Sequence, residues 1–183
     1  MIDTEHLEVS AHDMPVTQVD LSDRRLPIFE TIWYEMQKIK TGKRAFVTGI
    51  TGIDDSGKSK FAEAFEKYLT EKGSKIQQVH LDDFHNLKSI RYSGDNPAEN
   101  YYFKGFDINT IVERLLIPIH QKKIFSITLK HLNRDTDQYE TEKEYIFDPD
   151  TIVLFEGVFL FRKELSPYID YNIFLDISPE ESK

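Results

Sequence analysis

Residues 1–25 are polar and hold no sustained period, so they are expected to form a loose or strand-like N-terminal arm ahead of a domain spanning 26–183. From Pro27 the pattern turns helical. Phe29, Ile32, Trp33, Met36 and Ile39 recur on one face, and Gly42 supplies a stop. An α/β rhythm follows. Residues 44–49 (RAFVTG) read as a buried strand. Phe61, Ala64, Phe65, Tyr68 and Leu69 mark one helix face, which Gly73 ends. Residues 75–81 read as a second strand, and 107–117 as an amphipathic helix whose end Pro118 disturbs. Two further apolar strands, 151–155 (TIVLF) and 171–175 (YNIFL), complete the series. Short apolar strands alternating with helices predict a parallel sheet covered on both faces, a three-layer αβα sandwich.

Residues 124–147 interrupt the rhythm. Phe125, Ile127 and Leu129 alternate with polar residues, a polar stretch follows, and 144–147 (EYIF) turns apolar again. This predicts an antiparallel β-hairpin set into the α/β core, with the acidic run in 135–144 as a solvated tip. At the other end, Ser178-Pro179-Glu180-Glu181 has the form of a helix start, with Ser as N-cap, Pro at the first helical position and Glu at the third. A helix beginning five residues before Lys183 suggests that the sequence stops inside a longer fold.

Composition adds exclusions. The chain has 183 residues, 39% hydrophobic and 30% charged, as expected for a globular domain. Its 23 basic and 32 acidic residues give a net charge of −9, which argues against a broad nucleic-acid-binding face. No apolar run is long enough to cross a membrane, and no secretory h-region opens the sequence. Cysteine is absent, excluding disulfides and zinc–thiolate sites, and the cytoplasm is the expected compartment. The six histidines show no metal-binding spacing; no G-x-S-x-G elbow and no guanine-reading N-K-x-D run occurs.

One motif carries chemistry directly. Gly52, Ile53, Asp54, Asp55, Ser56, Gly57, Lys58 and Ser59 fit G-x-x-x-x-G-K-[ST] between an apolar strand and an amphipathic helix. That context fits a loop whose backbone N–H groups curl around a nucleotide β-phosphate. The helix N-terminus adds positive potential, Lys58 is expected to reach the β- and γ-phosphates, and the Ser59 hydroxyl to bind Mg²⁺. Asp54 and Asp55 are expected to point away from the polyanion. Ligands of open parallel sheets bind beyond the carboxyl ends of the strands. Two acidic sites lie there: Asp82 with Asp83 after the second strand, and Glu156 after TIVLF. Asp82 suits proton acceptance from a substrate hydroxyl, and Glu156 suits holding Mg²⁺ or its water.

The run GITGIDDSGKSKF, then LDDFH, GFD and VLFEGVFLF, across roughly residues 44–176, resembles the uridine kinase and phosphoribulokinase group of P-loop kinases. The resemblance implies transfer of the γ-phosphoryl of ATP, with Mg²⁺, to a hydroxyl of a small molecule, a nucleoside being the first expectation. It implies that Asp82 is the base, with Phe84 and His85 completing its motif, that Glu156 is the Mg²⁺-linked acid, and that Phe106-Asp107 helps hold the acceptor. Asp107 reads equally well as a helix N-cap. The chain departs from uridine kinases in two ways. Phe106-Asp107 continues Ile108-Asn109 rather than His-Pro, and ITLKHLNRDTDQY lacks the Pro-x-Tyr-Asp of the pyrimidine-reading segment. His131, Arg134, Asp135, Asp137 and Tyr139 stand there as available contacts. The basic lid of such kinases is also missing: after Glu156 only Arg162, Lys163 and Lys183 are basic. Few arginines near the acceptor speak against a phosphate-bearing one, and the chain as given is expected to bind nucleotide yet turn over poorly. The alternatives are a kinase for a pantothenate-, glycerate- or sugar-type acceptor, and a regulatory module that binds ATP without catalysis.

Overall fold

The computed structural model describes residues 25–176. The N-terminal arm, apart from Arg25, and the helix start at Ser178-Pro179-Glu180-Glu181 lie outside the described residues.

Helix α1 (Leu26–Ile39) runs into β1 (Phe46–Gly52), α2 (Lys58–Glu71) and β2 (Lys75–His80). Strands β1 and β2 do not pair with each other. Later in the chain, β5 (Thr151–Glu156) inserts between them and β6 (Tyr171–Leu175) adds beyond β1, giving a parallel sheet in the order β2-β5-β1-β6. Alternation along the strands divides the core. Phe46 and Ile50 of β1, with Ile152 and Leu154 of β5, pack against Phe29, Ile32 and Met36 of α1 and Phe65 and Leu69 of α2. Val47, Val153 and Phe155 face the opposite layer, against Ile111, Leu115 and Ile119. Each central strand is thus apolar on both faces, as TIVLF requires: all six residues of β5 are buried.

The opposite layer is a continuous helical segment over residues 108–121. It opens as Ile108–Thr110, widens to a π-type run over Ile111–Leu116, and resumes as Ile117–Gln121. The expected disturbance at Pro118 is real, but the helix does not end there. Proline lacks an N–H and its ring crowds the carbonyl four residues back. The wider turn just before it accommodates both effects, and Ile119 stays buried one turn on.

The antiparallel hairpin is present and longer than the alternation indicated: β3 (Phe125–Asn133) pairs with β4 (Gln138–Phe147), leaving only residues 134–137 as the turn. The polar stretch expected to be a tip is mostly strand, because the ladder itself satisfies the backbone and the side chains there face solvent. The register shifts between His131 and Leu132, and Asp137 closes the turn with φ 56°. Two short helices had no periodic signal: α3 (Lys88–Arg91) and α4 (Pro97–Lys104). The second is started by Asn96, whose side-chain oxygen accepts from the N–H groups of Ala98 and Glu99. No helix among the described residues is long and apolar enough to cross a membrane.

Candidate active site

The carboxyl ends of β1, β2 and β5 converge on one edge of the sheet. Register sets this directly: Glu156 lies beside Ile50 of β1 and His80 of β2, and the Gly157 N–H donates to the Ile50 carbonyl at 3.1 Å. Three segments far apart in sequence therefore meet: loop 53–57, the turn Leu81–Phe84 and the Glu156-Gly157 pair.

The loop is held tightly. A Cβ on Gly52 would lie 2.6 Å from the Leu175 carbonyl oxygen and 2.7 Å from Ser56 Oγ, so only glycine fits there. Asp55 and Gly57 take left-handed backbone, with φ 59° and 80°, and curl the chain into α2. Gly57 is the N-cap of α2, no side chain caps that end, and no acidic residue sits in the first turn. The N–H groups opening a 14-residue helix are thus left for an anion. Ser56 Oγ is buried with no hydrogen-bond partner. Lys58 Nζ folds back over the loop and donates to the Ile53 carbonyl at 2.6 Å.

A cleft of about 370 Å³ opens over this loop, bounded by Lys58, Ser59, Lys60, Asp82 and Glu156. Asp54 and Asp55 also line it. Asp54 is turned toward Tyr101, whose hydroxyl donates to it at 3.3 Å. Burial, together with the neighbouring Asp54, pushes the Tyr101 hydroxyl up to about 12. Two lysines against four carboxylates make this wall acidic, and a polyanion entering it needs a cation to offset that charge. The donors for a hard divalent ion are present. The buried Glu156 carboxylate lies 3.4 Å from Ser59 Oγ, and His80 Nδ1–H donates to the same carboxylate oxygen at 2.8 Å, fixing its direction. No group of three or more His, Cys, Asp or Glu side chains forms a closed metal site among the described residues. A hydroxyl and a carboxylate completed by phosphate oxygens and water are the ligands Mg²⁺ takes in nucleotide sites.

Asp82 stands on the wall shared with a second cavity of about 280 Å³, bounded also by His85, Arg91, Tyr101 and Arg134. His85 is buried; its Nδ1–H donates to the Asp82 carbonyl at 2.7 Å, and its ring packs on Phe106 at 4.6 Å. Burial lowers the His85 pKa, with Arg134 and Arg91 adding to the effect, so the ring is neutral. Phe106 and Phe84 are core residues. Phe84 packs edge-on against His131 at 4.8 Å. Asp107 lines neither cavity: its carboxylate accepts from the Thr110 N–H at 3.0 Å and the Thr110 hydroxyl at 2.7 Å, the cap geometry.

Behind Asp82, the hairpin braces the turn. His131 Nδ1–H donates to the Asp83 carbonyl at 3.0 Å, the Tyr145 hydroxyl donates to His131 Nε2 at 3.0 Å, and Lys143 pairs with Asp83 at 2.9 Å. Burial lowers the His131 pKa, which fits an Nε2 that accepts. Arg162 does not reach the cleft. It is buried, pairs with Glu164 at 3.1 Å and donates to the Tyr102 carbonyl at 2.9 Å.

Sequence reasoning missed Arg91 and Tyr101 entirely and left Arg134 unassigned. They come from α3, α4 and the β3–β4 turn, three segments with no periodicity or motif to mark them. Two of these residues, Arg91 and Arg134, are arginines that line the second cavity.

A phosphate loop at the end of β1, an acid at the end of the neighbouring strand and a parallel sheet between helical layers define the P-loop nucleotide-binding class. No protein-family model and no curated protein matches the chain. Solved structures do. A possible uridine kinase from Bacillus stearothermophilus shares 25% identity with a TM-score of 0.69, over 85% of both chains. A candidate fructose transport system kinase from Silicibacter sp. TM1040 shares 17%, TM-score 0.64, over 85% of this chain and 76% of that one. D-glycerate 3-kinase from Cryptococcus neoformans var. grubii shares 16%, TM-score 0.51, over 74% of this chain and 52% of that one. The chain has the fold of the P-loop small-molecule kinases of the uridine kinase and phosphoribulokinase kind.

Proposed function

We propose that this protein transfers the γ-phosphoryl group of ATP to a hydroxyl of a small molecule. The observation that carries this reading is the position of Asp82, on the one wall common to the phosphate-loop cleft and the second cavity. An acceptor in the second cavity and a nucleotide in the first would meet across that carboxylate.

The first N–H groups of α2 and the Lys58 ammonium bind the phosphates, and Lys58 exchanges the Ile53 carbonyl for a phosphate oxygen. The Ser59 hydroxyl and the Glu156 carboxylate would hold Mg²⁺, which when bound would offset charge on the phosphates. Asp82 orients the acceptor hydroxyl and takes its proton as the oxygen bonds to the γ-phosphorus and the bond to the β-bridging oxygen breaks, releasing ADP. His80 holds Glu156 in place, and the His131–Asp83 contact holds the turn carrying Asp82. Among acceptors, 25% identity with the possible uridine kinase supports a nucleoside. The side chains around the second cavity carry more weight, and they point elsewhere.

The test separates a kinase from a module that only binds ATP. Saturating Mg·ATP, at a hundredfold over its dissociation constant, adds about 2.7 kcal/mol, or roughly 5–10 °C in Tm for a chain of this size. The shift is expected to vanish in Lys58→Ala. Asp82→Asn is expected to keep it and lose about 10²–10⁴ in kcat for phosphoryl transfer. A wild-type protein that responds to Mg·ATP but phosphorylates no acceptor would favour the binding module.

A further inference from the structure

The lining of the second cavity is net basic, with two arginines against one carboxylate, in a chain whose net charge is −9. Several basic residues elsewhere are paired: Arg44 with Asp170, Lys75 with Asp148, Lys143 with Asp83, Arg162 with Glu164. Arg91 and Arg134 have no hydrogen bond or ion pair among the described residues, although the chain carries an acidic excess of nine charges. The Arg91 guanidinium lies over the Tyr92 ring at 5.2 Å, and its Nε is buried without a partner. Leaving a buried charged donor unsatisfied is costly unless something else supplies the acceptor.

The two arginines are brought together by construction. Arg91 ends α3, and Arg134 sits in the β3–β4 turn. Asp137 of that turn accepts from the Lys88 N–H at 3.0 Å, docking the hairpin onto the start of α3. Both arginines line the same cavity as the His85 ring. Against them the cavity offers one carboxylate, Asp82, whose partner would be the reacting hydroxyl. Tyr101 and His85 add no charge at neutral pH. Two guanidinium forks in a cavity of about 280 Å³, at the small end of ligand clefts, match a carboxylate or phosphoryl group, which arginine binds with paired N–H donors.

We propose that the acceptor is a small anion: a hydroxyl compound bearing a carboxylate or phosphoryl group, gripped by Arg91 and Arg134 while its hydroxyl faces Asp82. This rests on the phosphotransferase reading, and it replaces the neutral nucleoside as the acceptor class.

The test measures phosphoryl transfer from Mg·ATP to matched pairs: glycerate against glycerol, ribose 5-phosphate against ribose, with uridine as the neutral nucleoside. Arg91→Gln and Arg134→Gln are compared with wild type after a melting curve confirms that each folds. The anionic member of at least one pair is expected to be the better acceptor, and the two pairs distinguish carboxylate from phosphoryl. Each variant is expected to raise KM for that anion about 10- to 100-fold, the range of one charge-assisted contact, with KM for ATP within twofold. Preference for uridine or ribose, unchanged by either substitution, would overturn the proposal and leave the kinase reading standing. An equal rise in KM for ATP would also overturn it, because the arginines would then serve the nucleotide. If no acceptor is phosphorylated, the kinase reading fails, and the anion is judged by binding alone. In that case glycerate or ribose 5-phosphate should still raise the Tm of wild type and not of the variants, and no such shift would refute it.

Discussion

Gly52→Ala tests how closely the sheet and the phosphate loop are fitted. The added Cβ would lie 2.6 Å from the Leu175 carbonyl oxygen, 2.7 Å from Ser56 Oγ and 3.3 Å from Leu175 Cβ. The first of these is backbone, and Gly52 and Leu175 are register partners in the β1–β6 ladder, so neither can swing aside alone. Relief requires β6 to part from β1 or the loop to lift. Forcing one extra methyl into such a space costs about 2 kcal/mol, or roughly 4–8 °C in Tm. Lifting the loop also moves the α2 N–H groups off the phosphates, and a displacement of about 1 Å in a positioning element can cost 10²-fold in function. The assay is a melting curve paired with titration of Mg·ATP by calorimetry, with Gly73→Ala as the control. Gly73 has φ 80° and an added Cβ there would have no atom within 4 Å, so that variant carries backbone strain without a steric contact. Gly73→Ala is expected to lower Tm and leave the Mg·ATP dissociation constant unchanged, whereas Gly52→Ala lowers Tm and weakens binding at least about tenfold. A Gly52→Ala protein matching wild type in both would refute the reasoning.

Two further predictions concern stability. Asp170 accepts both arms of the Arg44 fork, at 2.7 and 2.8 Å, and the Val47 N–H at 2.9 Å. Asp170→Ala is expected to destabilise by about 2–3 kcal/mol in urea denaturation, the buried-pair figure discounted for partial exposure; a change under about 0.5 kcal/mol would count against it. Burial lowers the pKa of His85 and of His131, so both are neutral in the folded state while the unfolded chain takes up protons. Stability is therefore expected to be fully present above pH of about 6.5 and to decline as pH falls below it. Tm measured from pH 7.5 down to 5 checks this, and a flat profile would contradict it.

Much of the frame was legible because apolar periodicity is local. The 3.6-residue spacing from Phe29 to Ile39 and the unbroken TIVLF run each report the layer a segment packs against, and α1 and β5 formed where those patterns lie. The phosphate loop was legible for another reason: its glycines answer to backbone constraints that no other residue meets at Gly52. Patterning failed where structure is held by non-local contacts. The polar run after His131 is strand because β3 and β4 pair, not because its own residues favour it. The 108–121 helix passes through Pro118 because buried Ile119 holds the far side and a widened turn absorbs the missing N–H.

The sequence by itself determined an α/β sheet, a loop with the phosphate-loop pattern and the acids at the ends of β2 and β5. All of these follow from periodicity within one segment or from a contiguous motif. Only the tertiary structure decided what faces Asp82. Strand order placed β5 between β1 and β2 and so set Glu156 beside Ser59. The docking of the hairpin turn on α3 brought Arg91 and Arg134 to one cavity from positions 43 apart in the chain. No short-range pattern encodes that meeting, because it depends on the summed geometry of every element between them.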